Sequence, residues 1–536
     1  MQRYLKPFRL VVSVAMLAGT AFLFLDFRGS LPTVWFNYAT WMQFVPSLLK
    51  FTQTIGHGLA LTAYGFLAVL LLTLLFGRVY CSYICPLGIF QDVITWVSKK
   101  TRPKKKKLRF RFSPPKVWIR YSILIIVCLS LLTGNIFLLN ILDPYSNFGR
   151  FASDLFRPLY TIGNNLLVNV FEAMGSYVLY PVTVAKTDPF ALVVPVAMLL
   201  LVVWLAYRKG RLYCNAVCPV GTLLGLVSKI SVFKIKVDAT KCNQCGKCVS
   251  GCKSQCIDVK QQHVDFSRCV GCGNCLSSCD KSAIRYSLVQ TRKQKIRRPD
   301  SSKRRFVAGS FLFAAALSGF SVNTVAQNRK QNRERNQMKG NGHCTGNVEA
   351  VKANTVSPPG SLNHEHFTGT CTACHLCVSA CPTGVLKPSF LEYGFFGMMQ
   401  PYMDFHAGFC NFACVRCSEV CPNGAILPLT REKKLITQIG TVRFVKDNCI
   451  VLTDETSCGS CSEHCPTQAV RMVPYKGGLT IPEVNTDICV GCGACEYACP
   501  VTPFKAIIVD GHTVHQAAQK PKEEALEEKP LEEFPF

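Results

Sequence analysis

The stretch "TCTACHLCVSACPTG", residues 370–384, admits two cofactors. Cys371-Thr-Ala-Cys374-His375 is a C-x-x-C-H, the pattern of covalent c-type haem attachment. Cys371, Cys374, Cys377 and Cys381 together form C-x2-C-x2-C-x3-C-P, the pattern of a 4Fe–4S cluster. The cysteines downstream decide between them. Three more runs come later in the chain, and Pro closes each one. They are Cys410, Cys414, Cys417, Cys421; then Cys458, Cys461, Cys465 with Cys449 nine positions upstream; then Cys489, Cys492, Cys495, Cys499. None of the three has a His in the gap that His375 fills, so His375 stands at a variable position and no haem is expected. The four runs account for sixteen cysteines, the ligands of four clusters. Each run supplies three ligands locally and exchanges the fourth with a partner run. Spacing leaves two pairings open: first with second and third with fourth, or first with fourth and second with third.

The same spacing occurs earlier, in "KCNQCGKCVSGCKSQC" (241–256) and "RCVGCGNCLSSCDKSAI" (268–284). This is the two-cluster bacterial ferredoxin pattern, in which the fourth Cys of each run ligates the other cluster. Cys242, Cys245, Cys248 and Cys279 are expected to hold one cluster, and Cys269, Cys272, Cys275 and Cys252 the other. Zinc sites favour two separated Cys pairs, not three ligands within seven residues. Neither fourth Cys is followed by Pro, and Cys256 is an additional thiol read as a bystander. Cys128 and Cys344 are read as inert.

The chain has 536 residues and 31 cysteines, bunched too tightly for a secreted disulfide scaffold. Its net charge of +28 is uneven: residues 1–326 carry 41 basic and 11 acidic side chains, residues 327–536 carry 19 and 21. A basic half can mean nucleic acid, but hydropathy points to a membrane. Apolar segments run from Leu10 to Leu25, Gly58 to Phe76, Tyr121 to Leu139 and Phe190 to Tyr207, each near the ~20 residues a spanning helix needs. Basic residues cluster at Arg3, Lys6 and Arg9, from Lys99 to Arg111, at Arg208–Arg211 and at Arg292–Arg305. The positive-inside rule then places the N-terminus, the 77–117 loop and residues 208–305 in the cytoplasm. A fifth apolar stretch, Phe306–Phe320 extending to Ala326, comes after Ser302-Lys303-Arg304-Arg305-Phe306-Val307. It is read as a twin-arginine-like signal or an anchor helix, and either puts residues 327–536 on the far side.

The four-helix part contains a repeat. "GRVYCSYICPLG" (77–88) and "GRLYCNAVCPVG" (210–221) each come directly after an apolar span. Cys81/Cys85 and Cys214/Cys218 are C-x3-C-P pairs whose spacing places both thiols on one helical face. The Pro ends or kinks the helix before it. Four thiols brought together would make a metal, cluster or redox-dithiol site; otherwise they are structural. His57, in "IGHGLA", is either a quinone contact or a helix-end histidine.

With these motifs in view, the chain resembles two families joined. Residues 1–290 resemble the NapH/MauN-like membrane quinol dehydrogenase subunits, through four helices, the two "GR-[VL]-YC-x3-CP-[LV]-G" motifs and a two-cluster ferredoxin. Residues 300–510 resemble the NapG/MauM-like exported four-cluster polyferredoxins, through the KR-x-F-V signal, "SPPGSLNHEHF" and the four runs. The resemblance implies electron transfer from membrane quinol through about six 4Fe–4S clusters to a periplasmic reductase or cytochrome, at a bacterial inner membrane. The protein is then either a quinol dehydrogenase component or a pure electron carrier, with lipid and quinone as partners and no nucleic acid. The other reading is an accessory protein that reduces copper or matures an oxidase, a family with similar C-x3-C-P and ferredoxin motifs.

The expected fold is an α-helical membrane domain, a duplicated two-helix unit plus a fifth signal or anchor helix, with α+β ferredoxin-like domains on both sides. The expected divisions are 1–230 for the membrane domain, 231–290 for the cytoplasmic ferredoxin and 291–326 for the basic linker and signal. A linker over 327–366, the polyferredoxin over 367–515 and a disordered tail over 516–536 complete the chain.

Overall fold

The computed structural model describes residues 4–26, 31–54, 64–103, 109–184, 188–288, 345–346 and 348–520. His57, Cys344, the 291–326 segment with its signal, and residues 521–536 of the tail lie outside the described residues. The chain forms two compact units. The first is Met1–Gln337 with Gly360–Tyr402 and Arg416–Pro428; the second is Met338–Pro359, Met403–Val415 and Leu429–Phe536. The stretch 367–515, expected as one domain, is therefore shared between the two.

In the first unit, helices Leu5–Leu25 and Pro189–Lys209 are long and apolar enough to cross a membrane, with mean hydropathy 2.1 and 2.6. At 1.5 Å per residue each is about 31 Å long. Gly65–Phe76 and Val117–Leu132 are shorter apolar helices. The third apolar segment, expected to run to Leu139, stops at Leu132 because Gly134 turns the chain at φ 76°. The Asn135 amide and the Ser130 hydroxyl then close the end, N–H to Ser130 O at 2.9 Å and O–H to Asn135 O at 2.7 Å.

The C-x3-C-P pairs depart from a single helical face. Cys85 and Cys218 are both extended, at ψ 115° and 120°, because a residue before Pro is disfavoured in the α region. Each Pro then opens the next helix, Pro86–Thr101 or Pro219–Ser228. The two halves of the repeat clasp each other. Arg211 Nη1 donates to Cys81 O at 2.6 Å, and Arg78 Nη2 donates to Cys214 O at 3.0 Å.

Residues 231–288 form a small ferredoxin-like α+β layer. Strand Phe233–Val237 pairs antiparallel with Ile284–Leu288, Val237 opposite Ile284, over a core of Ile235, Ile257, Val264 and Ile284. This layer rests on the repeat loops: Arg78 and Arg120 donate to Ser267 O at 3.0 and 2.9 Å, and Ser82 donates to Val270 O at 2.7 Å. Residues 360–402 rest on other loops. Phe137 meets Phe395 at 4.9 Å, Phe190 meets Phe390 at 5.8 Å, and Asp154 bonds His375. Helix Leu5–Leu25 touches both layers: Leu5 and Lys6 lie against Gly273, and Phe24 lies against Gly149 beneath Cys374 O.

In the second unit, strand Thr437–Phe444 pairs antiparallel with Ile507–Ala517, Phe444 opposite Ile507. Val470–Pro474 pairs with Thr480–Val484. Ile439, Ile481, Ile507 and Val509 are buried between them.

Candidate iron–sulfur sites

Cys242, Cys245, Cys248 and Cys279 line one cavity of the 231–288 layer. Cys252, Cys269, Cys272 and Cys275 line another. The fourth thiol of each run has crossed to its partner, as the spacing requires. After the second Cys of each run comes a glycine, Gly246 at φ 74° and Gly273 at φ 71°, whose left-handed turn starts the short helix bearing the third ligand. Cys256 also lines the second cavity, and its sulfur is 3.6 Å from that of Cys252. Contact with the Cys256 thiol lowers Cys252 to about 7, below an ordinary thiol, while Cys256 itself is pushed up by its contacts with Cys252 and Cys269 and by burial. Cys252 and Cys256 both face the second cavity. The four-residue step between them was the available signal.

Two further cavities each gather thiols from two runs. Cys371, Cys374 and Cys377 share theirs with Cys421, the arrangement expected if the first run exchanges with the second. Cys449, Cys458 and Cys461 share theirs with Cys499, the arrangement expected if the third exchanges with the fourth. Cys465 stands close enough to Cys489, Cys492 and Cys495 to raise the pKa of each. Cys381 and Cys417 belong to the first unit, Cys410 and Cys414 to the second.

These cavities fit iron–sulfur clusters. Burial, then the charge of neighbouring thiols, pushes Cys374, Cys461 and Cys492 up to about 12. A metal centre bound among these thiols would favour their thiolate form. Backbone N–H groups already face the sulfurs, Ile426 N lying 3.4 Å from Cys421 Sγ. A tetrahedral zinc with Zn–S near 2.3 Å would draw sulfurs to about 3.8 Å of one another. Among the described residues, no three His, Cys, Asp or Glu side chains close around a single ion.

The four thiols of the repeat also come together. Cys81, Cys85, Cys214 and Cys218 are all buried. Arg78 Nη2 bridges the halves, 3.8 Å from Cys81 Sγ and 3.0 Å from Cys214 O. Gln91 Nε2 donates to Cys214 Sγ at 3.2 Å and Gly221 N to Cys218 Sγ at 3.3 Å. Arg211 is paired with Asp92 at 2.8 Å. Arg78 is fully buried and forms no ion pair with a carboxylate among the described residues.

Comparison with known proteins agrees with this chemistry. A family model described as a 4Fe-4S binding domain matches residues 60–105 and 190–238, the two halves of the repeat. Models of 4Fe-4S dicluster domains match 265–385, 370–426 and 456–502. The ferredoxin-type protein NapF of Escherichia coli (strain K12) is 30% identical over 161 residues, 30% of this chain and 89% of that protein. The chain belongs to the ferredoxin-type proteins. The methylamine utilization ferredoxin-type protein MauM of Methylophilus methylotrophus is 32% identical, covering 28% of this chain and 68% of its own length. The ferredoxin-type protein NapG of Escherichia coli (strain K12) is 32% identical, covering 27% and 65%. No solved structure matches.

This ferredoxin-type protein departs from its own pattern at His375. The residue after the second Cys is glycine at 246, 273 and 493, with φ from 71° to 76°; His375 adopts φ 60° in the same place. Its imidazole is buried. Nδ1 lies 2.9 and 2.8 Å from the Asp154 carboxylate oxygens, and Nε2 lies 2.7 Å from Met399 O. Both ring nitrogens are committed to protein oxygens, and the Cys374–His375 loop is pinned to the segment just after Gly149.

Proposed function

We propose that this ferredoxin-type protein is a fused NapH/MauN-like and NapG/MauM-like chain that spans the bacterial inner membrane through four helices. In this reading it passes electrons from quinol to a periplasmic acceptor, a reductase or a cytochrome. Each bound 4Fe–4S cluster would supply reversible one-electron transfer without a proton. The chain's thiols hold six such clusters, two in the cytoplasm and four outside. The repeat thiols Cys81, Cys85, Cys214 and Cys218 hold a further redox centre, and no haem is attached at Cys371 and Cys374.

The observation that carries this reading is how the loops sort by packing. The 231–288 layer contacts Arg78, Ser82 and Arg120; the 360–402 layer contacts Phe137, Asp154 and Phe190. The positive-inside rule assigns these same two sets to opposite faces. Helix Leu5–Leu25, about 31 Å long, touches one layer at each end. The 327–536 half would reach the far side through the KR-x-F-V signal at 303–307 or as an anchored segment.

Iron and sulfide analysis of the full-length protein with EPR tests this. Six 4Fe–4S clusters require about 24 iron per chain, and a seventh at the repeat about 28. Haem absorbance, or iron near eight, would sink the reading. Soft thiolates also select copper(I), so copper in place of the additional iron would favour the accessory, copper-reducing function.

A further inference from the structure

Seven buried polar atoms without a partner crowd into one segment, "NILDPYSNFGR", residues 140–150. They are Asn140 Nδ2 and Oδ1, Asp143 Oδ1, Tyr145 Oη, Ser146 Oγ, and Arg150 Nε and Nη1. None of these five residues is more than 1% exposed. Folded proteins rarely leave buried donors and acceptors unmet, because each has given up its water for nothing. Five residues doing so within three turns of chain point to an occupant that supplies the missing partners.

The segment lies just beyond the apolar Val117–Leu132 helix and joins two thiol sites. At one end Tyr213, next to Cys214, donates its hydroxyl to Leu142 O at 3.1 Å. At the other, Gly149 sits so close to Cys374 O that an added Cβ would lie 2.3 Å away. Its surroundings are aromatic: Tyr145 meets Phe24 at 6.0 Å, and Phe148 and Phe151 each meet Phe90 at 6.4 Å. The unmet donors, on Asn140, Tyr145, Ser146 and Arg150, suit ring carbonyl oxygens. The unmet acceptors, Asn140 Oδ1 and Asp143 Oδ1, suit ring hydroxyls. A flat aromatic ring that alternates between two carbonyls and two hydroxyls, and that arrives from lipid, uses both sets.

We propose that residues 140–150 bind the head group of a membrane quinone or quinol, with Asn140, Asp143 and Arg150 as its polar contacts. The choice of a quinone rests on the quinol-linked reading above. The test uses full-length protein in lipid nanodiscs and decyl-ubiquinone. Wild type is expected to bind about one quinone per chain, saturably. Asn140→Leu and the isosteric Asp143→Asn are each expected to weaken binding about tenfold or more, the effect of a lost hydrogen bond in a dry site. Iron content and the dithionite-reduced EPR spectrum should stay unchanged. Should Asn140→Leu fail to assemble its clusters, Asp143→Asn decides alone. Unchanged binding in Asp143→Asn, or a high-resolution structure with ordered water on these atoms at saturating quinone, overturns the proposal. If wild type binds quinone and the variants do not, yet decyl-ubiquinol leaves the clusters oxidised, the site stands and the quinol-oxidation reading fails. If quinol reduces wild type and variants alike, that reading stands and the site fails.

Discussion

Replacing His375 with Gly tests whether the Asp154 bridge outweighs the backbone preference. The left-handed conformation at φ 60° disfavours any side chain. Glycine relieves it by roughly 1–2 kcal/mol. Against this, the imidazole leaves behind an Asp154 carboxylate whose side chain is 2% exposed. Removing one partner of a buried ion pair costs about 3–5 kcal/mol, because the other charge stays dry and uncompensated. The net expectation is a loss of ~1–4 kcal/mol, with a corresponding fall in Tm. Thermal unfolding of detergent-solubilised holoprotein, monitored by intrinsic fluorescence, measures it. His375→Gly combined with Asp154→Leu removes the stranded carboxylate and should recover most of the loss. A His375→Gly protein as stable as wild type, or more so, refutes the reasoning and leaves the glycine preference in command.

The cysteine geometry and the Gly149 contact give three further expected outcomes. Cys256→Ala removes the thiol whose sulfur lies 3.6 Å from Cys252 Sγ. At ~1 kcal/mol for that contact, redox-poised EPR should show one cluster's potential lowered by about 40 mV, with iron content unchanged; an unmoved potential would mean the contact is not felt. Cys421→Ser should remove about four iron together with the signal of the Cys371, Cys374, Cys377 site, and Cys499→Ser the signal of the Cys449, Cys458, Cys461 site. Loss from the mutated run's own site instead would show that its fourth thiol does not cross. Gly149→Ala places a methyl 2.3 Å from Cys374 O and 2.8 Å from the Phe24 ring. It should destabilise the first unit by ~1–3 kcal/mol in denaturant unfolding, and a neutral result would show that this packing yields freely.

The ferredoxin cysteines were legible because three ligands in seven residues encode a local loop, and the loop survives whatever surrounds it. Crossing of the fourth ligand was legible in 231–288, where two runs have only each other. It was not legible among four runs, where the partner is chosen by strands and loops distant in sequence. Cys421 reaches Cys371 only because residues 416–428 fold with 360–402. His375 was legible as an anomaly but not in its role, since Asp154 lies 221 residues away. The segment 140–150 left no trace either: its Asn, Asp, Tyr, Ser and Arg match no motif, and only the structure shows them buried.

The repeat shows how a motif can be visible while its reason is hidden. In "GR-x-YC-x3-CP-x-G" each residue type has a separate duty. Gly77 and Gly210, at φ 76° and 68°, end their helices in the left-handed turn that glycine favours. The Arg after each crosses to the other half and bonds its first Cys carbonyl. Each Tyr is buried, with its hydroxyl bonded, Tyr80 to Gln43 and Tyr213 to Leu142 O. The last Gly of each motif, Gly88 or Gly221, lies where a Cβ would stand 2.3 Å from the carbonyl of Cys81 or Cys214, so no other residue fits without moving the thiol loop. One half alone would leave its Arg and its Cys carbonyl unmet. The motif therefore needs two copies folded face to face, and the four thiols meet as a consequence of that reciprocity rather than of either pair's spacing.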